Sequence, residues 1–508
     1  MTLTELLDLN DRKFGDRIAL IYGQQRIPFS ELKQLSEKAA AVLQAKGIEK
    51  GSRVSIMSLN TPSFVFAFFG ALKAGASVVP INHKLMAPEV DYILNHSKSE
   101  VFLYDGALYN VASKLESPAK QIAMDSRPDA AGEQIELIDD LLDTAGPYRP
   151  VPVSGQDTAE ILYTSGTTGK PKGCVHSHSN VIMAGITGAL VMKMDRNDRL
   201  LMAMPIWHSS PLNNWFMGAQ YVGASTVLLR EYHPVHFLEA VMNERTTVYF
   251  GAPISYLAPL QMVSNFDDYD LSSMRCWIYG GGPISEEHAK VLSAKYKSDK
   301  FYQVYGMTES GPTGTTLFPD EQVAKAGSIG KTALPGADLK VMKSDTAEAG
   351  RGETGEIWLK AESMMEGYLD NPEATKEAFH DGWYKTGDLT RIDEDGYLFI
   401  VDRTKDMIVA GGENVYSKEV EDVLTTHPDI ADVAVIGKPH AEWGETVVAF
   451  FIPQKDKDPS EDDIRDFLVD RLARYKIPRE FHKVEELPRT PTGKVMKYVL
   501  REKYYFSE

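Results

Sequence analysis

Cysteine is almost missing from this chain of 508 residues, which has only Cys174 and Cys276. Two thiols about a hundred residues apart are too few for a disulfide framework or a cysteine-built metal site, which points to a reducing cytoplasm. Basic charge is also short: 54 Lys and Arg stand against 72 Asp and Glu, a formal net charge of −18. That balance excludes a nucleic-acid partner, because phosphate backbones need a basic face. Anionic substrates would have to be met locally, by single lysines and arginines set among glycines and backbone N–H groups. Nor is there a long unbroken apolar run. The most apolar stretch, 62–81, is interrupted by Lys73 and by small residues, and reads as a buried helix running into a strand rather than a membrane span. The opening MTLTELLDLNDRKFGDR carries charges where a signal peptide would be apolar, and the closing FSE is not a peroxisomal address. The expectation is a cytoplasmic globular protein without an integral membrane segment, with room for a homodimer. Its 43% apolar content is enough to give two to four compact units a core each.

What is present is alternation. Across residues 53–309 short β-rich runs (RVSIM, SVVPI, EVFLY, EILYTS, RLLMAMPIW, STVLL, TTVYFGAP, RCWIYGG, FYQVYGMTE) exchange with helical patterns, which means layered α/β sheets. Several runs end directly in TSGTTGKPKG, GGGPIS or GMTESGPTG, so the working ends should gather at the carboxyl edge of a sheet. Over 327–401 the pattern turns to Gly/Asp-punctuated β segments such as GEIWLK and DEDGYLFIV, a small barrel-like layer. Beyond 402–406 come two strands, ADVAVIG and ETVVAFFIP, and a helix expected over 461–476, with Ile464, Phe467, Leu468, Leu472 and Tyr475 on one face. The division is set at Lys405: a large N-terminal body, 1–404, and a small mobile α+β C-terminal domain, 405–508.

The strongest local signal is Tyr163-Thr164-Ser165-Gly166-Thr167-Thr168-Gly169-Lys170-Pro171-Lys172-Gly173, directly after an apolar run. Three glycines admit an anion close to the backbone, hydroxyls and N–H groups can bind phosphate oxygens, and two lysines supply charge. A plain Gly/Thr surface turn is the competing reading. It is not a Walker loop, because Gly169-Lys170 is followed by proline, which has no hydroxyl to offer a metal. Gly330-Lys331-Thr332 has Lys325 in place of the first glycine, and Gly280-Gly281-Gly282 lacks a third spaced glycine. Neither supports a P-loop kinase or a Rossmann dehydrogenase.

Five further segments follow in order: YGGGPIS at Tyr279, YGMTE at Tyr305, YKTGDL at Tyr384, DRTKDMIVAGGENVYSKEVE at Asp402 and PRTPTGK ending at Lys494. Together with the loop they closely resemble the adenylate-forming superfamily of acyl-CoA synthetases, adenylation domains and luciferases, over nearly the whole chain. The resemblance implies an acyl-CoA synthetase of the fatty-acid–CoA ligase branch, using ATP and Mg²⁺ with coenzyme A as co-substrate. It implies that residues 164–170 and Lys172 hold the β- and γ-phosphates, and that Gly281, Gly282, Pro283 and Tyr305 enclose the adenine. Thr308 would meet the α-phosphate, Glu309 would ligate magnesium, and Asp388 and Arg403 would bind the ribose. Lys405 would be the hinge, and Lys494 would bridge the acid and the phosphate. His208 would line the acid site with Phe250, Gly280 and Met307. Lys84, Gly411, Gly412, Trp443 and Tyr475 would hold coenzyme A, although Ile477 stands where the family can have a basic residue.

The chemistry accounts for these residue types. A carboxylate is a poor acyl donor, and moving it onto AMP supplies a leaving group. The attacking acid and the phosphate are both anions, so charge neutralisation carries the step, and no general base is needed for an acid already ionised. In the superfamily it resembles, amino-acid-activating members usually carry an aspartate here to pair with the substrate ammonium, and Trp207-His208-Ser209 has none, which implies that the substrate is not an amino acid. Phe216, Met217, Tyr249, Phe250 and Met307 suggest an apolar pocket, and with it a fatty acid before an aryl acid. Two rivals stand beside this reading: an enzyme that loads a carrier-protein phosphopantetheine, and a non-catalytic nucleotide sensor.

Overall fold

The computed structural model describes the whole chain except residues 129–134, 165–170, 283, 411–412, 441–443, 470, 490–494 and 506–508. It divides into two compact units, 1–339 with 359–384, and 340–358 with 385–508. Compactness therefore groups 340–358 and 385–404, expected in the body, with the C-terminal residues.

The first unit is mixed α/β, as expected, and holds two large sheets. One runs in the order Thr315–Leu317, Phe301–Tyr305, Cys276–Gly280, Val248–Gly251, Arg199–Met202, Ser225–Leu228, Ile18–Tyr22, Gln25–Pro28. Its inner pairs are parallel. The other runs Gly367–Tyr368, Lys172–Ser177, Thr158–Thr164, Ser77–Ile81, Arg53–Met57, Val101–Asp105, Lys120–Met124. Strands Ser77–Ile81 and Val101–Asp105 are buried at every residue, as parallel strands covered on both faces must be, which is why they read as unbroken apolar runs.

The apolar stretch is the buried helix and strand it was expected to be. Thr61 caps the helix Pro62–Lys73 by accepting from the Phe64 N–H at 3.3 Å, and donates its own proton to Asp125 at 3.0 Å. All twelve helical residues are buried. Gly75, at φ +84°, ends it with a backbone that favours glycine. Lys73 is only 3% exposed and is tolerated because Asp8 lies at 2.7 Å and Glu37 at 3.5 Å. Among the described residues no helix is long and apolar enough to cross a membrane.

In the second unit, residues 340–344, 354–358 and 385–392 belong to strands of a six-stranded curled sheet, and Leu398–Arg403 pairs with the last of these. A five-stranded sheet follows, ordered Glu413–Val415, Ile408–Ala410, Gly444–Pro453, Ile430–His440, with Glu480–Lys483 beside Gly444–Pro453. Its long strands alternate faces. Val433, Val435, Val447, Ala449 and Phe451 pack with Val420, Leu424, Ile464 and Leu468 of two helices, while Ala434, Ile436, Val448 and Phe450 pack with Leu500 and Tyr504 of the C-terminal helix Lys497–Tyr505.

The expected helix over 461–476 is shorter. It spans Glu461–Val469, and Arg474–Lys476 form a separate 3₁₀ turn. Ala473 is extended, Pro478 cannot continue a helix, and the turn lets Lys476 reach Glu419 at 2.6 Å. Tyr475 consequently leaves the buried face and is 43% exposed.

Candidate active site

The phosphate-loop sequence is held at its stem by an antiparallel pair. Strand Thr158–Thr164 and strand Lys172–Ser177 bring Thr164 opposite Lys172 and Tyr163 opposite Gly173. A Cβ on Gly173 would fall 2.8 Å from Ile161 and 3.2 Å from the Tyr163 ring, so this hairpin closes only on glycine. Tyr163 O–H and His96 Nδ1 lie 2.7 Å apart, and Tyr92 donates to the Pro171 carbonyl at 3.1 Å, so one helix, Ala87–Ser97, grips both ends of the loop. Ser165, Gly166, Thr167, Thr168, Gly169 and Lys170 lie outside the described residues, as do Pro283, Gly411, Gly412, Trp443 and Lys494.

The strand Phe301–Tyr305 leads through Gly306 and Met307 into the 3₁₀ turn Thr308–Ser310. Ser363 Oγ donates to the Ser310 carbonyl at 2.7 Å, and the Met365 N–H donates to the Glu309 carbonyl at 2.9 Å. The Thr308 and Ser209 hydroxyls lie 3.0 Å apart, which sets the turn beside Trp207-His208-Ser209. Trp207 in turn donates to His83 Nδ1 at 2.9 Å, and burial lowers the pKa of His83, keeping that nitrogen an acceptor. Lys84, next along, is exposed.

Glu309 has a partner that the sequence did not reveal. The Tyr368 hydroxyl donates to Glu309 Oε1 at 3.1 Å, the Tyr384 hydroxyl lies 3.4 Å from that of Tyr368, and Lys172 Nζ stands 5.0 Å from the Tyr368 ring centre. Burial first, and then the nearby Glu309 charge, pushes both tyrosines far above the usual phenol range, so both remain proton donors. Tyr368 is 59 residues from Glu309, and its one local mark is the preceding Gly367 at φ +150°.

The residues expected at the acid site divide. Phe250 stacks on Trp215 with ring centres 5.5 Å apart, and a Cβ on Gly280 would lie 3.2 Å from Phe250 and 3.0 Å from Val304, so these residues pack together. Met307 packs instead with Cys174, Met365 and Tyr384. Phe216, Met217 and Tyr249, expected in a pocket, are core: none is more than 1% exposed. Gly281, at φ +80°, makes the turn after strand Cys276–Gly280, with Gly282 following.

In the second unit Asp388 and Arg403 are opposite one another across two strands, with Arg403 Nε 2.9 Å from Asp388 Oδ1. Gly387, at φ +71°, gives its N–H to Glu356 at 2.8 Å. The exposed Lys405 is followed by Asp406, to which Arg501 donates at 2.9 Å. Lys497 binds Glu421 at 2.8 Å and Ser417 at 2.5 Å, and Ser417 binds Asp402. The helix just after Lys494 thus holds both flanks of Lys405.

A single carboxylate fixed by a tyrosine hydroxyl suits magnesium, a hard ion that keeps waters and takes most other ligands from phosphates. Among the described residues no group of three or more His, Cys, Asp and Glu could hold a metal by itself.

Comparison with known proteins agrees with these features. Residues 7–369 match the family model of the AMP-binding enzymes, and 419–494 match the AMP-binding enzyme C-terminal domain. The chain is 36% identical to the long-chain-fatty-acid–CoA ligase FadD13 of Mycobacterium tuberculosis, over 94% of this chain and 93% of that one. It is 32% identical to the 2-succinylbenzoate–CoA ligase of Bacillus licheniformis, over 96% of each. Among solved structures, the o-succinylbenzoate coenzyme A synthetase MenE of Bacillus subtilis, in complex with ATP and magnesium ion, superposes with a TM-score of 0.87 at 29% identity, over 98% of this chain and 99% of that chain. The chain belongs to the AMP-binding enzyme family, among the acyl-CoA ligases that use ATP, Mg²⁺ and coenzyme A.

Proposed function

We propose that the acid this ligase activates is a fatty acid, and that it works in the cytoplasm. The observation that carries the reading is the Phe250–Trp215 stack against Gly280 and Val304, an apolar wall suited to an alkyl chain. The 36% identity to a long-chain-fatty-acid–CoA ligase points the same way.

In this reading a carboxylate oxygen attacks the α-phosphorus of ATP and pyrophosphate leaves. The thiol of coenzyme A then attacks the acyl carbon and AMP leaves. Thr164 and Lys172, with 165–170, hold the β- and γ-phosphates, and Gly281, Gly282, Pro283 and Tyr305 enclose the adenine. Thr308 binds the α-phosphate, while Asp388 and Arg403 take the ribose. Glu309, steadied by Tyr368, holds magnesium, which neutralises phosphate charge when bound. His208 lies at the acid, and Lys84 and Tyr475 at coenzyme A. Lys405 divides a body, 1–404, from a C-terminal domain, 405–508, that turns to bring Lys494 for the first step and withdraw it for the second.

A panel of saturated fatty acids, aryl acids and 2-succinylbenzoate, scored by acid-dependent pyrophosphate release and by thioester yield with free coenzyme A, tests the substrate. A fatty acid should give the highest kcat/KM, by at least tenfold. An aryl acid or 2-succinylbenzoate in first place overturns the fatty-acid reading.

A further inference from the structure

Three polar residues near the Thr308 turn have no exposure at all: Glu160, His176 and Asn213. Glu160 and His176 are directly opposite on the two strands that carry the phosphate loop, so their side chains share a face. Asn213 Nδ2 donates to Glu160 Oε1 at 2.5 Å. Glu160 Oε2, Asn213 Oδ1 and both ring nitrogens of His176 lack hydrogen bonds of full geometry. The His176 ring meets the main chain of Thr308 and Ser363, contacts that work against the lowering of its pKa by burial. Asn213 belongs to the helical segment Ser210–Phe216, directly after Ser209, whose hydroxyl bonds Thr308.

Two hydrogen bonds, the strand register and one helical segment link these groups. Thr308 bonds Ser209, the helical segment that follows Ser209 carries Asn213, Asn213 bonds Glu160, and Glu160 is paired in register with His176, whose ring meets the Thr308 main chain. Burial pushes the Glu160 carboxyl up to about 7 and the His176 imidazole down to about 4, so near neutrality the imidazole is uncharged and the carboxyl is held in good part as the acid. Apolar residues would fill this space at lower cost, since buried polar atoms without partners are expensive.

We propose that Glu160, Asn213 and His176 are positioning residues for the adenylation step, a buried brace that fixes the turn Thr308–Ser310 against the strands carrying the phosphate loop. The brace touches no substrate. It rests on the reading of Thr308 as the α-phosphate contact, and acts by holding that hydroxyl where charge builds in the transition state.

The test is acid-dependent pyrophosphate–ATP exchange, with thermal melting measured on the same preparations. Glu160→Leu combined with Asn213→Leu removes both partners of one bond, so the melting temperature should hold or rise. The exchange kcat should fall about tenfold to a hundredfold, with KM for ATP within threefold. Glu160→Gln, which keeps the acceptor and an uncharged end, should retain kcat within about threefold of wild type, a margin well inside the loss expected from misplacement. The brace is overturned if the double variant keeps normal kcat, if its kcat and melting temperature fall together, or if Glu160→Gln loses as much as the double variant. Should the double variant not fold, His176→Phe, an aromatic ring without nitrogens, carries the same test with the same outcomes. Thr308→Val separates the two claims. Normal exchange in Thr308→Val removes the α-phosphate assignment, whereas a damaged Thr308→Val beside a normal double variant overturns the brace alone.

Discussion

Lys494→Ala should abolish acid-dependent pyrophosphate release while leaving the conversion of supplied acyl-adenylate and coenzyme A to thioester near normal. In the first step the acid's negative charge converges on that of the α-phosphate, and an ammonium able to touch both stabilises the crowded state more than the separated one. Losing one such donor typically costs ~10²–10³ in rate, about 2.7–4 kcal/mol, and a full charge raises that figure. The second step starts from an acyl group already activated, so it does not need Lys494. The described residues before and after the lysine have partners of their own. Arg489 and Val495 form an antiparallel bridge, and from Lys497 onward the helix is tied to Glu421 and Asp406. None of these contacts is made by residue 494, and a melting temperature on the same preparations separates a lost rate from a lost fold. Near-normal pyrophosphate release in the variant would remove Lys494 from its role, and equal damage to both half-reactions would remove the two-position lid.

Asp388→Ala should weaken ATP binding by about 10²–10⁴. A carboxylate that accepts from both ribose hydroxyls makes two charge-assisted bonds of roughly 1.5–3 kcal/mol each, and every 1.4 kcal/mol is about tenfold in affinity. The structure limits the collateral damage. Asp388 is 7% exposed, but its partner Arg403 is 42% exposed and stays solvated when the carboxylate goes, so the variant should fold. Calorimetric titration with ATP reads the effect directly, and wild-type affinity in the variant would end the ribose assignment.

How far the sequence alone reaches can be seen at particular residues. The helix Pro62–Lys73 and strand Ser77–Ile81 were legible because a wholly buried segment is apolar all round, and Thr61, Pro62 and Gly75 mark its ends locally. The alternation of strands and helices announced α/β layers for the same reason. The order of strands was not legible. Ile18–Tyr22 lies beside Ser225–Leu228, two hundred residues on, and no local pattern encodes such a pairing. Two residues carried by separate short motifs, Asp388 and Arg403, meet across a strand pair. Residues that act through distant partners escaped notice, among them Tyr368 against Glu309 and Glu160 against Asn213. Apolar character also misled, because Phe216, Met217 and Tyr249 have the composition of a pocket wall and the burial of core. Helical spacing overran beyond Val469: Leu472 still packs with Ile464 and Leu468, but an extended Ala473 and the approaching Pro478 take Tyr475 off that face.

The central claim is that the carboxylate itself becomes the bridge to AMP before the thiol arrives. An acid labelled with ¹⁸O in both carboxyl oxygens, incubated with the enzyme, ATP, Mg²⁺ and coenzyme A, tests that claim most directly. Attack by a carboxylate oxygen on the α-phosphorus, followed by thiol attack on the acyl carbon, leaves one labelled oxygen in AMP for each thioester formed. Mass spectrometry should therefore find AMP carrying one ¹⁸O, with unlabelled pyrophosphate. Label in inorganic phosphate with ADP as the nucleotide product, or thioester formed beside unlabelled AMP, would contradict the account.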